Sequence, residues 1–372
     1  MSASSTGLLK RTPFYDIHVA AGAKMVSFAG FEMPIQYPGG ITAEHLVVRN
    51  GCGVFDVSHM GEFIIRGKQA IDFVTYVTSN DVSALGTGQV HYSGILTEQG
   101  TFVDDCLVYR FADDLLMMVV NGSNKDKDLQ HIQQYVGQFD CLLTDVSDEM
   151  GLLAVQGPHA EEILQAMTPC QLDDIKYYWF TETTVAGIPM TLSRTGYTGE
   201  DGFELYHDVK YSVQLWTALM ETGRIQPVAL GCRDSLRLEM GMALYGNDID
   251  DTVTPLEAGL GWLVKMKKGD FVGRAALEAQ KAAGVPKKLA GFTFTEKAIP
   301  RHGYPVFVNG SPSGTVMSGV MSPSVGYGLG TAYVPTAHAK EGNTIEVEIR
   351  GKRIVGTIVG FPFWKNGSVK RS

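Results

Sequence analysis

Two consecutive strand-like runs, TFVDDCLVYRF and LLMMVVN, stand only three residues apart and limit the folds open to this chain. Runs of this length, rich in β-branched and aromatic residues and joined by a short polar loop, predict an antiparallel hairpin. A carboxylate on an apolar strand face costs free energy unless it is hydrogen-bonded or has a function, although a strand-end aspartate meeting water is an equal alternative. Side chains alternate across a strand, so one face of the first run carries a single charge, Asp105, among Val103, Leu107, Tyr109 and Phe111.

The register of this hairpin brings an amide next to that acid. If the loop spans residues 112–114, Phe111 pairs with Leu115 and Asn121 faces Asp105; a loop shorter by one residue moves the match by one position. Cross-strand Cβ atoms lie about 5 Å apart, so the two side chains form a compact donor–acceptor pair. Such a pair could grip the edge of a heterocycle, and an ordinary polar cross-strand pair is the equal alternative.

Helical and strand patterns alternate through the first two-thirds of the chain. KDKDLQHIQQYVGQF has apolar residues near helical spacing and predicts a helix. GPHAEEILQAM carries an early proline and two glutamates in its first turn, which marks a helix start. PMTLSRT and FELYH predict paired strands. CRDSLRLEMGMALYG predicts a long helix that ends at Gly246, and no internal repeat is evident.

The last part of the chain has a different pattern. Residues 265–288, rich in Lys and Ala, predict a linker. From Leu289 onward, short β-runs broken by Gly, Pro and an Asn309-Gly310 turn predict a small antiparallel barrel or sandwich. The predicted class is therefore α+β with an all-β C-terminal domain.

Composition narrows the classes of function. The 372 residues include 44% hydrophobic and 19% charged residues, a globular composition far from that of disordered chains. A net charge of −9 argues against nucleic acid as the main partner, because a phosphate backbone selects a basic face. No stretch approaches the ~20 apolar residues of a membrane span, so no membrane partner is expected. The N-terminal residues resemble neither a secretory signal nor an Arg-rich transit peptide. We expect a cytoplasmic protein, in the bacterial cytosol or, if eukaryotic, in the mitochondrial matrix after loss of a presequence.

A glycine-rich segment, RTGYTGEDGFE, covers residues 194–204. It fits neither GxxxxGK[ST] nor GxGxxG, and its three acidic residues disfavour phosphate. A tight connection between strands is the simpler interpretation. The functional alternative is a wall for an aromatic ligand, in which Tyr197 stacks and Glu204 accepts hydrogen bonds from ring nitrogens.

The helical run that begins near Gly231 supplies a free cation. Asp234 and Arg237 are spaced for an intrahelical pair, whereas Arg233 stands one position outside it. An arginine there could bind a carboxylate with two parallel hydrogen bonds, and a solvated surface arginine is the commoner outcome.

Two other chemistries are disfavoured by spacing. Asp56, Ser58 and His59 invite a hydrolase interpretation, but no GxSxG motif accompanies them. The nine histidines show no metal-ligand spacing such as HExxH, and the five scattered cysteines form no CxxC pair. We therefore expect no catalytic metal and reduced cysteines.

Eight stretches taken together resemble a known family. They are LKRTPFYDIHVAAGAKMVSFAGFEMP, GVFDVSHMGE, GTFVDDCLVY, VVNGSNKDKD, AVQGP, RTGYTGEDGFE, GCRDSLRLEMGMALYGNDID and MSPSVGYGLGTAYV. In this order they resemble the T-protein family of the glycine cleavage system, from about Leu9 to Phe363. The resemblance therefore covers essentially the whole chain.

The resemblance implies a three-domain fold around a central channel: two interleaved α+β domains over residues 1–264, a linker over 265–288 and a C-terminal antiparallel β-barrel over 289–372. It implies an aminomethyltransferase that binds tetrahydrofolate as co-substrate in the channel. The partner would be the lipoylated H-protein, whose lipoyl arm carries an aminomethyl group on sulfur. The products would be 5,10-methylenetetrahydrofolate, ammonia and the dihydrolipoyl arm.

The same resemblance assigns expected roles to residues. The essential aspartate of the family corresponds to the second acid of GTFVDD, Asp105, which would hydrogen-bond the folate near N10 and hold N5 in line with the aminomethyl carbon. The remaining expected folate-site residues are Met60, Tyr92, Asn121, Tyr197, Glu204 and Arg233.

Two alternatives share this resemblance. A folate-dependent demethylase of the same superfamily would use the same pocket and Asp105 without a lipoyl carrier. A non-enzymatic folate-binding relative, involved in iron–sulfur cluster assembly, would carry a KGCY-type cysteine motif where this chain reads LYGND. The missing cysteine disfavours the second alternative.

Overall fold

The computed structural model describes residues 8–369. The strands of this range are β1 (Lys10–Arg11), β2 (Lys24–Phe28), β3 (Phe31–Gln36), β4 (Gly53–Asp56), β5 (Gly61–Arg66), β6 (Val90–Leu96), β7 (Phe102–Ala112), β8 (Leu115–Val120), β9 (Leu142–Asp145), β10 (Met150–Gln156), β11 (Phe180–Val185), β12 (Ile188–Ser193), β13 (Gly202–Asp208), β14 (Gln226–Pro227), β15 (Lys287–Phe294), β16 (Pro305–Val308), β17 (Ser311–Met321), β18 (Gly328–Pro335), β19 (Thr344–Ile349) and β20 (Lys352–Val359). The helices are α1 (Tyr15–Ala20), α2 (Ile41–Asn50), α3 (Ala70–Val77), α4 (Lys125–Val136), α5 (Ala160–Gln165), α6 (Ser212–Glu221), α7 (Leu230–Glu239) and α8 (Arg274–Ala283). None of the helices in this described range has the length and apolarity needed to cross a membrane.

Two sheets with the same topology form the first two-thirds of the chain. One has the strand order β6-β7-β8-β5-β9 and the other β11-β12-β13-β10-β4-β14. Each unit runs strand, helix, three antiparallel strands, helix: β5–α3–β6–β7–β8–α4 and β10–α5–β11–β12–β13–α6. The sequence showed no repeat, and the structure corrects this: the two units repeat one element order with little residue identity.

The strand before each unit joins the sheet of the other. β4 precedes β5 but pairs with β10, and β9 precedes β10 but pairs with β5. The turns after β4 and β9 make equivalent hydrogen bonds to the other unit. Ser58 Oγ accepts from the Leu152 N–H at 3.0 Å, and Ser147 Oγ accepts from the Glu62 N–H at 2.9 Å. The predicted interleaving of two α+β units is confirmed.

The faces of the two sheets meet in one core. Tyr109, Met117 and Val119 from the first sheet pack in the same cluster as Leu152 and Tyr206 from the second. The outer faces are covered by helices, α3 and α4 on the first sheet and α5 and α6 on the second. Alternating strand residues therefore divide between an inter-sheet layer and a helix-covered layer.

The C-terminal strands close into a barrel of order β15-β18-β17-β16-β19-β20, antiparallel throughout. The predicted barrel is thereby confirmed. Helix α7 contacts β17, and the Arg237 guanidinium donates to Asp248 at 2.5 Å and to Ser318 at 2.8 Å. The stretch before the barrel contains helix α8.

Two local predictions need correction. Helix α7 ends at Glu239, because Gly241 adopts a φ of +67° that an L-residue rarely takes, so Gly246 does not end it. The hairpin loop has two residues, Asp113 and Asp114, because Ala112 pairs with Leu115.

A register shift between Arg110 and Ala112 restores the predicted register of the hairpin. Cys106 faces Val120, and Asn121 then follows opposite Asp105. A second shift beside Val103 turns that side chain into the helix-covered core instead of the Asp105 face. Bulges insert one residue on one strand, so they alter facing without a signal in the alternation pattern.

Candidate active site

A cavity of about 460 Å³ opens between the two sheets and the segment that follows α7. Its volume lies within the roughly 300–1,000 Å³ of small-molecule sites. The cavity is lined by all seven residues expected from the sequence, Met60, Tyr92, Asp105, Asn121, Tyr197, Glu204 and Arg233. Each is partly buried, as expected for a side chain in a cavity wall.

Asp105 stands at the hairpin wall with both carboxylate oxygens engaged. Tyr92 Oη donates to Oδ2 at 2.8 Å, and Asn121 Nδ2 donates to Oδ1 at 2.8 Å. β6 and the end of β8 flank β7, so the sheet itself brings these donors to the acid. The carboxylate is therefore oriented by the protein before any ligand enters.

Asp104 points to the other side of the sheet and is fully buried. It accepts the Asn121 backbone N–H at 3.0 Å, Asn121 Nδ2 at 2.9 Å and Asn124 Nδ2 at 2.8 Å. The Asn121 amide nitrogen thus donates to both neighbouring acids, and no group within residues 8–369 donates to Asn121 Oδ1. That oxygen remains an acceptor for a ligand N–H.

Burial and the nearby charge of Asp104 raise the pKa of Asp105 to about 7, against the lowering effect of its two hydrogen bonds. Burial, followed by the charge of Asp105, also raises the pKa of the Tyr92 hydroxyl, so Tyr92 remains a donor. A carboxyl group with a pKa near neutrality can both accept a hydrogen bond and exchange a proton at physiological pH.

Glu204 forms the opposite wall on β13. It pairs with Ser193 across the ladder, and the Thr195 hydroxyl donates to its carboxylate. Behind it the hydroxyls of Tyr109 and Tyr206 lie 2.9 Å apart. Burial raises the pKa of Glu204. The cavity thus has a carboxyl group on each sheet.

Arg233 and Tyr197 close one end of the cavity. The guanidinium carbon lies 4.5 Å from the Tyr197 ring centroid, and the Tyr197 hydroxyl donates to the Ala243 carbonyl. Arg233 forms no salt bridge with any residue from 8 to 369, in contrast to Arg237 four positions on. A stacked arginine without an acidic partner is suited to bind an anionic group.

Several lining residues were not expected from the sequence. Trp262 is 57% exposed and lies 6.1 Å from the Tyr92 ring between centroids, so the cavity wall reaches the surface there. Its one available signal was an isolated tryptophan among glycines in GLGWL. The other unexpected lining residues with polar tips include Gln156, Tyr177, Tyr178, Thr195, Thr198, Tyr206 and Tyr245.

The rejected hydrolase pattern has a structural explanation. Asp56 is buried and accepts from His18 Nε2 at 3.0 Å and Thr12 at 2.6 Å, whereas Ser58 Oγ bonds to Leu152. His59 packs against aromatic rings and its Nδ1 has no partner in the described chain. Within the same range, no three His, Cys, Asp or Glu side chains could hold a metal ion, and all five cysteines are free thiols.

Two family models match this chain. The model described as "GCVT N-terminal domain" matches residues 14–268, and "Glycine cleavage T-protein C-terminal barrel domain" matches residues 287–365. The first alone covers more than half of the chain.

Curated relatives and a solved structure resemble the chain over nearly its full length. The aminomethyltransferase of Thermosipho melanesiensis is 47% identical over 363 residues, covering 97% of this chain and 99% of the relative. That of Desulfitobacterium hafniense is 44% identical over 360 residues, covering 96% and 98%. The crystal structure of the glycine cleavage system aminomethyltransferase T from Bartonella henselae superposes with a TM-score of 0.92 at 34% identity, covering 98% of this chain and 100% of that chain.

Proposed function

The chain belongs to the glycine cleavage T-protein family of aminomethyltransferases, and on that premise we propose that its cavity is where tetrahydrofolate and a lipoyl arm meet. The proposed donor is the aminomethyl group on the lipoyl sulfur of the H-protein. When bound, tetrahydrofolate supplies the nitrogen nucleophile and takes the methylene carbon between N5 and N10. The two N–H protons lost balance the release of ammonia and the return of a thiol on the lipoyl arm.

The donor and acceptor set of the cavity fits a reduced pterin. A pterin ring presents several N–H groups along one edge and an aromatic face. Asn121 Oδ1 and the Glu204 carboxyl offer acceptors for such an edge, and Tyr197 offers a ring for stacking. Met60 adds a polarizable apolar contact. This agreement between donors and acceptors supports the proposal.

We propose that Asp105 accepts a hydrogen bond from the folate N10–H and so holds N5 toward the incoming carbon. Tyr92 and Asn121 orient the carboxylate for this role. Holding two reactants in the reacting geometry lowers the activation barrier by several kcal/mol, because the entropy of aligning them is already lost on binding. With a pKa of about 7, a large fraction of Asp105 is ionised at neutral pH.

Arg233 is the proposed partner of the carboxylate tail of folate. It is the stacked cation of the cavity and carries no salt bridge within the described chain. Two parallel hydrogen bonds to a carboxylate would fix the tail while the ring sits between Asp105 and Glu204.

The proposed domain limits are residues 1–264, 265–288 and 289–372. β15 begins at Lys287, and the two family models leave residues 269–286 unmatched between them. Helix α8 lies in that interval and joins the α+β units to the barrel.

A carrier-dependent assay tests the function. Purified protein is mixed with tetrahydrofolate and aminomethyl-loaded lipoylated H-protein, and 5,10-methylenetetrahydrofolate and ammonia are measured together. We expect equal amounts of both products, and none without the carrier. In a second arm an N-methylated amine replaces the carrier, and 5-methyltetrahydrofolate and the demethylated amine are measured as the products of methyl transfer. Product in that arm alone would overturn the proposal in favour of a demethylase; folate binding without product in either arm would point to a folate-binding protein.

A further inference from the structure

A third acid lies behind the cavity wall. Asp128, in the first turn of α4, is fully buried. Its carboxyl group lies against the carboxyl group of Asp104. No N–H group and no hydroxyl of residues 8–369 reaches either Asp128 oxygen. Within the described chain, Asp104 is thus the group to which a protonated Asp128 can donate a hydrogen bond.

Two carboxyl groups can hydrogen-bond to each other only if one of them carries a proton, because ionised carboxylates are acceptors only. Asp104 already accepts three N–H groups, from Asn121 and Asn124. Burial raises the pKa of Asp104, but those bonds lower it again, whereas Asp128 accepts no such bond, so the proton resides on Asp128. In agreement, burial and the charge of Asp104 raise the pKa of Asp128.

Within residues 8–369 no cation forms a salt bridge with either acid. Lys127 donates to the Val103 carbonyl at 2.6 Å and to the Tyr245 hydroxyl at 2.8 Å, and it bonds to neither acid. The titratable groups that face the pair from the surrounding elements are Asp105 and Cys106 on β7, Lys127 on α4 and Tyr245 after α7.

We propose that Asp104 and Asp128 share one proton at neutral pH, and that this buried acid pair is the positioning device that holds Asn121 and, through it, Asp105. The chain of donors runs from the Asp128 hydroxyl to Asp104, and from Asn121 to both Asp104 and Asp105. An ionised Asp104 offers both oxygens as acceptors to Asn121 and Asn124, whereas a protonated Asp104 carries a hydroxyl in place of one of them. The shared proton keeps it ionised without adding a third charge. The last step, from Asp105 to folate, rests on the proposed function.

Infrared spectroscopy tests the shared proton without any substrate. Difference spectra between wild type and Asp128→Asn, recorded on protein with ¹³C-labelled aspartate at about pH 8, report whether Asp128 is an acid or a carboxylate. We expect a carboxylic-acid C=O band in wild type that Asp128→Asn lacks. Asp126→Asn, an exposed acid in the same helical turn, is the matched control and should keep the band. A carboxylate band in place of the acid band would overturn the proposal whatever the substrate proves to be.

Kinetics test the positioning role. Asp128→Asn keeps an N–H donor toward Asp104, so we expect kcat within about 3-fold of wild type and the same pH profile. Asp128→Leu removes the donor, and Asp104 then takes up a proton and loses its charge. We expect kcat to fall by about 10-fold or more, and the acid limb of the profile to move to lower pH because Asp105 has lost a negative neighbour.

An equal fall of kcat in Asp128→Asn and Asp128→Leu would overturn the role of the shared proton. A wild-type kcat and pH profile in both variants would overturn it as well. If Asp128→Leu does not fold, the infrared result and the activity of Asp128→Asn still decide. A carrier-independent enzyme with an intact acid band would refute the proposed function and leave the acid pair standing.

Discussion

Asn121 Nδ2 lies 2.8 Å from Asp105 Oδ1, across the end of the β7–β8 ladder. The same nitrogen lies 2.9 Å from Asp104 Oδ1 on the other side of the strand. One amide therefore bonds the cavity acid to the buried acid behind it. The site residue and its support come from one hairpin, so the local fold determines the geometry of Asp105.

The pH dependence of transfer should follow Asp105. Because its pKa is raised to about 7 and the proposed role needs the ionised form, activity should rise as the pH passes upward through about 7. A profile of kcat/KM between pH 5.5 and about 8.5 measures this limb, because kcat/KM reports the pKa of the free enzyme. In Asp105→Asn the limb should disappear from the residual rate. A limb that falls with rising pH in this window would mean that the protonated acid is the active form.

The raised pKa of Asp105 should also lower the free energy of unfolding as the pH rises. A carboxyl group whose pKa is raised on folding binds its proton more tightly in the folded state, so stability falls between the unfolded pKa, about 3.9, and the folded one. Asp105→Asn cannot titrate. The Tm of Asp105→Asn minus that of wild type should therefore be more positive at about pH 8 than at about pH 5. Asp114→Asn, on the exposed loop of the same hairpin, should show no such trend.

Arg233 should determine folate affinity more than turnover. Removing a charge-assisted hydrogen bond costs about 1.5–3 kcal/mol, so Arg233→Gln should raise the KM for tetrahydrofolate by about 10- to 100-fold. kcat should change by less than about 3-fold, because the group is remote from the transferred carbon. Arg233→Lys keeps the charge but loses the planar fork, so its KM should lie between those of wild type and Arg233→Gln. A large loss in kcat with unchanged KM would refute the assignment.

Substitution of Arg237 and of Arg233, both on α7, should change the stability of the protein by different amounts. Arg237 and its partner Asp248 are both buried, and the bond joins α7 to the segment that contacts the barrel. Removing one partner of a buried pair costs about 3–5 kcal/mol, because it leaves an uncompensated charge. Arg237→Met should thus lower the denaturation midpoint strongly. Arg233→Met, without a salt bridge to lose, should change it little.

Adding Asp248→Asn to Arg237→Met should recover part of the lost stability, because the orphaned charge is then removed. No recovery in the double variant would show that packing, and not charge, accounts for the effect.

Much of the site could be predicted from local pattern. Alternation placed Asp105 on a cavity-facing strand face, and the short hairpin loop brought Asn121 opposite it. This prediction held although the loop has two residues instead of three, because a register shift next to Phe111 adds one residue to the same strand. A bulge of this kind leaves no signal in the local pattern.

Other features depended on contacts remote in sequence. The sequence gives no sign that β4 and β9 each join the other sheet, because a strand of four residues is too short to show a periodic pattern. Trp262 reaches the cavity from a one-turn 3₁₀ helix, Gly261–Leu263, and Tyr245 from an isolated β-bridge after α7. Gly241 ends α7 where Gly246 was expected, because both glycines follow an apparent helical pattern and only the tertiary turn distinguishes them.

The most direct test follows one labelled carbon in a single turnover. H-protein carrying a ¹³C-aminomethyl group is mixed with excess enzyme and saturating tetrahydrofolate, for wild type and for Asp105→Asn. We expect the label in 5,10-methylenetetrahydrofolate with wild type. We expect a rate at least about 100-fold lower with Asp105→Asn, although it still binds folate and carrier. Label transfer at the wild-type rate in the variant, or none with wild type, would contradict this account.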